Sequence, residues 1–252
     1  MVSPLKSLKW YRSLATKKGR LEAQAFTVEG DRAIRQILTT HPKNIVEILT
    51  TDTTPPVYRD YPVGSLTESQ FNSICQTKTP QGILAIVRLP ADIYTNSLPS
   101  SIGRKVLLME DIQDPGNAGT LIRTAAAFDF SGVIMTESCA DPFSPKCIQS
   151  TAGTVLSQWL RRTADYLKLT RSLQDSGYTL IAAEVNAKGQ PSVLSQHDKI
   201  LLALGNEADG LSGALLEQAD YRVRVPIIPE KAESLNVAVC GAILMYLSIK
   251  KT

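Results

Sequence analysis

From residue 105 onward, short apolar runs of strand length alternate with segments whose apolar residues recur at helical spacing. This alternation constrains the chain more than any other feature. The spacing predicts strands at 105–110, 132–136, 178–184, 199–204 and 221–227, and helices at 118–129, 144–152, 165–176, 211–219 and 234–250. Apolar strands separated by helices require a mainly parallel sheet covered on both faces, so the second part of the chain is α/β. Ligands of such sheets bind beyond the strand C-termini. Three Gly-rich or polar turns fall there: Gly116-Asn117-Ala118-Gly119, Gly205-Asn206-Glu207-Ala208-Asp209-Gly210 and the stretch 229–236.

The first part is less regular. A helix is expected over 5–18, a short strand at Phe26-Thr27-Val28, a helix over 29–40, strands at 44–50 and 82–88, and a helix at 67–75 between them. Pro, Ser and Asn crowd the stretch from Leu89 to Ser101, which reads as a linker. The chain therefore divides near residue 100 into two domains, 1–100 and 101–252. Charge divides with it: residues 1–100 carry 12 Lys and Arg against 8 Asp and Glu, whereas the remainder carries 15 against 16. Lys6, Lys9, Arg12, Lys17, Lys18 and Arg20 meet no acid within the first twenty residues, with Trp10 and Tyr11 interleaved. Such a run fits a solvated helix face or an arm that contacts phosphates.

Several chemistries are poorly supported. The Gly116 turn lacks the lysine of a P-loop, and GxGxxG is absent. Only His41 and His197 are present, neither beside a candidate nucleophile, which disfavours a histidine-based triad. Cys75, Cys139, Cys147 and Cys240 show no CxxC pairing, and no cluster of ligands suggests a metal. With 43% apolar and 20% charged residues, no apolar run near the roughly 18 needed to span a bilayer, and no apolar block after the basic N-terminus, the expected protein is soluble, without a membrane partner, and cytoplasmic.

Three polar loops remain, and each alone has a plain explanation. Asn117 suits a turn or helix cap, and Ser234 suits the cap of the last helix with Asn236 in its first turn. Their shared sheet edge argues for a site. Arg123 stands out as the only charge on its helix between Asp114 and Asp129.

The segments Gln113-Asp114-Pro115-Gly116-Asn117-Ala118-Gly119-Thr120-Leu121-Ile122-Arg123-Thr124-Ala125, Leu204-Gly205-Asn206-Glu207-Ala208-Asp209-Gly210-Leu211 and Glu233-Ser234-Leu235-Asn236-Val237-Ala238-Val239 resemble, in order, the three signature motifs of the SpoU/TrmH branch of the SPOUT RNA methyltransferases. Phe26-Thr27-Val28-Glu29-Gly30 and Thr79-Pro80-Gln81-Gly82-Ile83 resemble that family's N-terminal substrate-binding domain. The resemblance implies a C-terminal α/β domain with a trefoil knot around the second and third motifs, a smaller N-terminal α/β RNA-binding domain, and a homodimer. It implies S-adenosylmethionine as cofactor, lined by Leu204 and Gly205 from the second loop and by Val225, Ile227 and Leu235 from the third. It implies ribose 2′-O-methylation of RNA, with large-subunit rRNA the first substrate and tRNA, or a catalytically silent RNA-binding or ribosome-assembly role, the alternatives.

Within that resemblance Arg123 takes the place of the family's motif-one arginine. A guanidinium is a poor base and a good clamp, suited to holding a phosphate and stabilising negative charge on the 2′-oxygen. Asn117 and Asn236 supply orienting hydrogen bonds, Glu207 holds Arg123 or Asn117, and Ser234 contacts substrate or caps the helix. Two departures stand: Gln149-Ser150-Thr151-Ala152-Gly153 lacks the arginine that often precedes such a segment, and 226–232 is one residue longer than usual. The last helix is apolar nearly all round, a pattern of burial on several sides. The second subunit is the expected partner, with Leu244 as an interface position.

Overall fold

The computed structural model describes residues 3–77, 79–228 and 230–250. Pro229, which opens the third polar stretch, lies outside them. The chain forms two compact units: 1–91 with 141–156, and 92–140 with 157–252.

The first unit runs α1 (Leu8–Ser13), α2 (Lys17–Ala23), β1 (Ala25–Glu29), α3 (Asp31–Thr40), β2 (Ile45–Thr50), β3 (Val63–Ser65), α4 (Glu68–Asn72) and β4 (Ile83–Arg88). Its sheet has the order β1-β4-β2-β3, antiparallel except for the β2/β3 pair. The helix expected over 5–18 is two helices. Thr16 caps α2 by accepting from the Gly19 N–H at 3.0 Å. Gly19 packs so closely on the Ser13 carbonyl that a Cβ there would lie 2.0 Å from its oxygen. Glu47 on β2 is buried and anchors the N-terminal segment: it accepts the Leu5 N–H at 2.8 Å and the Tyr11 O–H at 2.6 Å. Burial, and then the bond to Glu47, push the Tyr11 phenol well above its ordinary value, so it remains a donor.

The second unit opens with β5 (Lys105–Met109), α5 (Pro115–Ala127) and β6 (Gly132–Met135). The chain then leaves it for α6 (Pro145–Thr151), which packs on β1 of the first unit. Arg20 ties this excursion down. Buried on α2, it donates to the carbonyls of Leu14 and Ala15 and pairs with Asp141 at 2.5 Å. The chain returns through β7 (Trp159–Arg162), α7 (Tyr166–Asp175), β8 (Thr179–Ala183), β9 (Ile200–Leu204), α8 (Gly213–Gln218), β10 (Tyr221–Val223) and α9 (Val237–Leu247). Its sheet has the order β10-β8-β9-β5-β6-β7, and every pairing is parallel. The central strands are buried on both faces, as the alternation requires. No helix among the described residues is long and apolar enough to cross a membrane.

The second unit differs from the sequence reading at β7, at the stretch before β5 and at β10. Strand β7 was not anticipated because it ends in two arginines. Arg161 is nevertheless buried: its guanidinium donates to the carbonyls of Ser97 and Leu160 and pairs with Asp92 at 2.8 Å. The same bonds turn the supposed linker into a strap on the second unit, and Asn96 adds hydrogen bonds to Thr163 and Asp165. The division thus falls between residues 91 and 92 rather than near 100. Strand β10 stops at Val223, and 224–228 is irregular.

Gly132 faces the Trp159 ring so closely that a Cβ would lie 1.9 Å from it, and the indole N–H is fixed on the Ile102 carbonyl at 3.0 Å. Gly132→Ala is therefore expected to lower unfolding free energy by about 1–3 kcal/mol, the usual scale for overpacking. Denaturant unfolding, monitored by tryptophan fluorescence, measures it.

Candidate active site

Strands β5 and β9 are neighbours at the centre of the parallel sheet, and each ends in one of the polar loops. The loop after β5 leads into α5, whose first turn is built by sequence. Asp114 is the N-cap and accepts the Asn117 N–H at 2.9 Å, while Pro115 starts the helix where no N–H is needed. This sets Asn117 on the first turn. The loop after β9 closes on itself through a bridge between Asn206 and Gly210. Gly205 permits the closure, since a Cβ there would sit 2.2 Å from the Gly210 backbone. Asn206 is spent on this loop: its Oδ1 accepts the N–H groups of Ala208 and Asp209, and its Nδ2 donates to the Asp111 carbonyl at 2.8 Å. Glu207 is left exposed on the loop.

The third contribution comes from α9, which packs against α5. Gly241 allows the approach: a Cβ there would lie 2.4 Å from the Leu121 side chain and 2.7 Å from that of Leu204. The N-cap of α9 is Asn236, not Ser234, and Asn236 lies outside the first turn expected for it. Its Oδ1 accepts from the N–H groups of Ala238 at 2.9 Å and Val239 at 3.3 Å.

Three predicted residues therefore meet. Asn117 Nδ2 donates to Glu207 Oε1 at 2.9 Å, and Asn236 Nδ2 donates to Asn117 Oδ1 at 3.0 Å. The direction is forced at both ends. A carboxylate only accepts and a helix N–H only donates, so the two amides between them can face one way only. Glu207 holds Asn117; it does not hold Arg123. Arg123 is exposed farther along α5 and makes no hydrogen bond or ion pair among the described residues. Ser234 is likewise exposed without a hydrogen bond among them.

The residues named for a cofactor are placed less uniformly. The side chain of Leu204 is buried in the core, and its carbonyl accepts the Glu110 N–H at 2.9 Å. Gly205 is buried in the loop stem. Val225, Ile227 and Leu235 are half-buried, and the backbone groups of Val225 and Ile227 make no hydrogen bond among the described residues. Leu244 is fully buried within its own chain, so it is not an interface position.

Sequence reasoning assigned no role to Glu110, Asp111, Asn206 and Tyr166, which underlie the site. Glu110 is buried and accepts the Tyr166 O–H at 2.5 Å and the Ser212 N–H at 2.7 Å. Burial, and then the bond to Glu110, raise the Tyr166 phenol above its usual range. Asp111 holds a left-handed backbone, φ 55°, and its Oδ1 accepts the Thr136 O–H at 2.5 Å. The available signal was two acids closing an apolar strand, an arrangement a core strand rarely tolerates without partners.

Comparison with known proteins follows the same map. Residues 104–246 match the SpoU rRNA Methylase family, and residues 6–85 match the MRM3-like substrate binding domain. The 23S rRNA (guanosine(2553)-2′-O)-methyltransferase RlmP of Bacillus subtilis is 34% identical over 248 residues, covering 95% of this chain and 94% of that protein. A putative RNA methyltransferase of the TrmH family from Porphyromonas gingivalis superposes with a TM-score of 0.81 at 28% identity, covering 98% of each chain. The AdoMet-bound rRNA methyltransferase of Sinorhizobium meliloti superposes with a TM-score of 0.79 at 25% identity, covering 98% of this chain and 96% of that one. A parallel-sheet unit with three motif loops gathered at its central strands, matched over more than half the chain, makes this protein a member of the SpoU rRNA methylase family.

Proposed function

We propose that the chain is an S-adenosylmethionine-dependent RNA 2′-O-ribose methyltransferase acting on large-subunit rRNA, in the cytoplasm where that RNA is made into ribosomes. The relay from Glu207 through Asn117 to Asn236, with an exposed arginine on the same helix as Asn117 that has no partner among the described residues, carries this reading. The similarity to RlmP over nearly the full length of both proteins supports the substrate. A silent RNA-binding protein has no chemical need for the relay and the exposed arginine together.

The residues present suit the cofactor. Half-buried apolar side chains at Val225, Ile227 and Leu235, with backbone groups at Val225 and Ile227 that make no hydrogen bond among the described residues, match a flat heterocycle with polar edges. Leu204 and Gly205 contribute backbone from the loop stem. When bound, S-adenosylmethionine supplies an electrophilic methyl group on a sulfonium. The chain's own residues then orient and stabilise the nucleophile. The planar fork of Arg123 clamps a backbone phosphate and favours negative charge developing on the 2′-oxygen. Asn117 and Asn236 each keep one amide hydrogen outside the relay and aim it at ribose oxygens. Glu207 fixes the Asn117 amide, and the Ser234 hydroxyl contacts substrate.

Three further features belong to the proposal. Helix α9 returns from the sheet edge at β10 to pack on α5 beside Leu204, the path that a trefoil knot around the second and third loops takes. A second copy of the chain covers α9, where Val239 is 50% and Tyr246 62% exposed, with half-buried Ile243 between them on one helical stripe. The first unit binds RNA, because Lys6, Lys9, Arg12, Lys17 and Lys18 are all exposed, with Arg12 braced on Ser73 and Lys18 paired to Glu22.

Incubation with labelled S-adenosylmethionine and ribosomal RNA, followed by mapping of the modified nucleotide, tests the activity. Arg123→Ala is expected to abolish turnover and leave cofactor affinity within about three-fold, since the contact acts in the transition state. Arg123→Lys should rescue poorly, because a point charge cannot reproduce a fork. Tyr246→Glu should give monomers by analytical ultracentrifugation with the fold retained. Replacing Lys6, Lys9, Lys17 and Lys18 together by Ala should weaken RNA binding and flatten its dependence on salt, by roughly 0.7–0.9 in log–log slope per lost phosphate contact.

A further inference from the structure

A buried carboxylate one step back from the relay has no part in the function just proposed. Glu110, only 4% exposed, follows the last residue of β5, and among the described residues it has no ion-pair partner. Burying an unpaired carboxylate is costly unless every lone pair in use meets a donor. Here Oε1 accepts the Tyr166 O–H at 2.5 Å and Oε2 accepts the Ser212 N–H at 2.7 Å. The two bonds point to different elements, α7 and the start of α8.

The second bond matters most for the site. Ser212 ends the loop that begins at Gly205, and Glu207 lies between them. The entry to that loop is held from the same strand tip: the Glu110 N–H donates to the Leu204 carbonyl at 2.9 Å, and the Asp111 carbonyl accepts Asn206 Nδ2 at 2.8 Å. Asp111 reaches this position through its left-handed backbone, locked by two hydrogen bonds with the Thr136 hydroxyl. Both stems of the loop are thus gripped by two consecutive residues.

We infer that Glu110 is a positioning residue for the proposed methyl transfer, acting through the second loop to set Glu207 and, through Glu207, the Asn117 and Asn236 amides. The role rests on the methyltransferase reading. Tyr166 serves by fixing the carboxyl plane so that its other oxygen meets Ser212. A glutamine can replace the carboxylate in part: its oxygen accepts from Ser212, and its NH2 donates to Tyr166, whose hydroxyl can turn to accept. An alanine can do neither.

The test uses the full-length protein in two readouts. Glu110→Ala should lower kcat about 10- to 100-fold at saturating substrate and cofactor, the scale expected for misplacing a reacting group by roughly 1 Å. RNA affinity should be unchanged, and Glu110→Gln should recover most of the rate. In a Glu207→Ala background, Glu110→Ala should cost little more, because both act through one contact. Amide hydrogen exchange reads the brace without activity: Asn206, Gly210 and Ser212 should lose protection in Glu110→Ala, while β1 and β4 keep theirs. Unchanged protection in the loop, full kcat in the folded alanine variant, or additive losses in the double variant would each overturn the inference. If Glu110→Ala does not fold, the same cycle is run with Tyr166→Phe, where additivity again overturns it. Wild-type protein inactive on every RNA overturns the proposed function and with it the role in transfer, and exchange still shows whether the brace exists.

Discussion

The site depends on a hydrogen-bond chain whose sense cannot be reversed. Glu207 can only accept, the first N–H groups of α9 can only donate, and Asn117 and Asn236 stand between them. Side-chain amides are ordinarily free to flip, at little energetic difference. Here a flip of either would set donor against donor or acceptor against acceptor. The unspent hydrogens of both amides therefore point in directions fixed by chemistry that lies outside the amides themselves. Pre-organisation of this kind needs no tight packing around the exposed site; it needs only that the two ends be held still.

The rest of the second unit holds those ends. The parallel sheet sets β5 beside β9, which puts the starts of α5 and the second loop side by side. Gly241 lets α9 lie close against Leu121 and Leu204, which brings its N-cap to Asn117. Glu110 and Asp111 grip the loop that carries Glu207. A helix cap, a glycine contact and a buried acid thus all converge on one relay. Arg123, farther along α5, is left out of it.

Much of this was legible in the sequence, and the pattern of successes is physical. The alternation of apolar strands and helices gave a parallel sheet because both faces of each central strand are buried, a property of consecutive residues. Asn117 and Glu207 lie in the loops after β5 and β9 and Asn236 at the start of α9, each within a short motif of consecutive residues. What could not be read depends on distant partners. Strand β7 hides behind Arg161, whose charge is balanced by Asp92 and whose guanidinium also meets the Ser97 carbonyl, 64 residues away. Glu110 meets Tyr166 and Ser212 across separations of 56 and 102 residues. Ser234 looked like the better cap, but the helix starts after Asn236, whose amide both caps and reaches Asn117. Leu244 looked like an interface residue because an all-round apolar helix does not reveal which side faces its own core.

The excursion of α6 has a consequence for synthesis. The first unit includes residues 141–156, and the buried guanidinium of Arg20 finds its carboxylate only at Asp141, 121 residues later. On a ribosome adding about 5–20 residues per second, that wait is on the order of 6–24 s. During it the nascent N-terminal sheet lacks the helix that covers β1, and a buried cation lacks its counter-charge. The first unit is therefore finished only after part of the second has been made, although the second, which needs the chain beyond residue 156, is finished later still. Strands β5 and β6 emerge before it can close, so two incomplete units coexist on the ribosome while this stretch is translated.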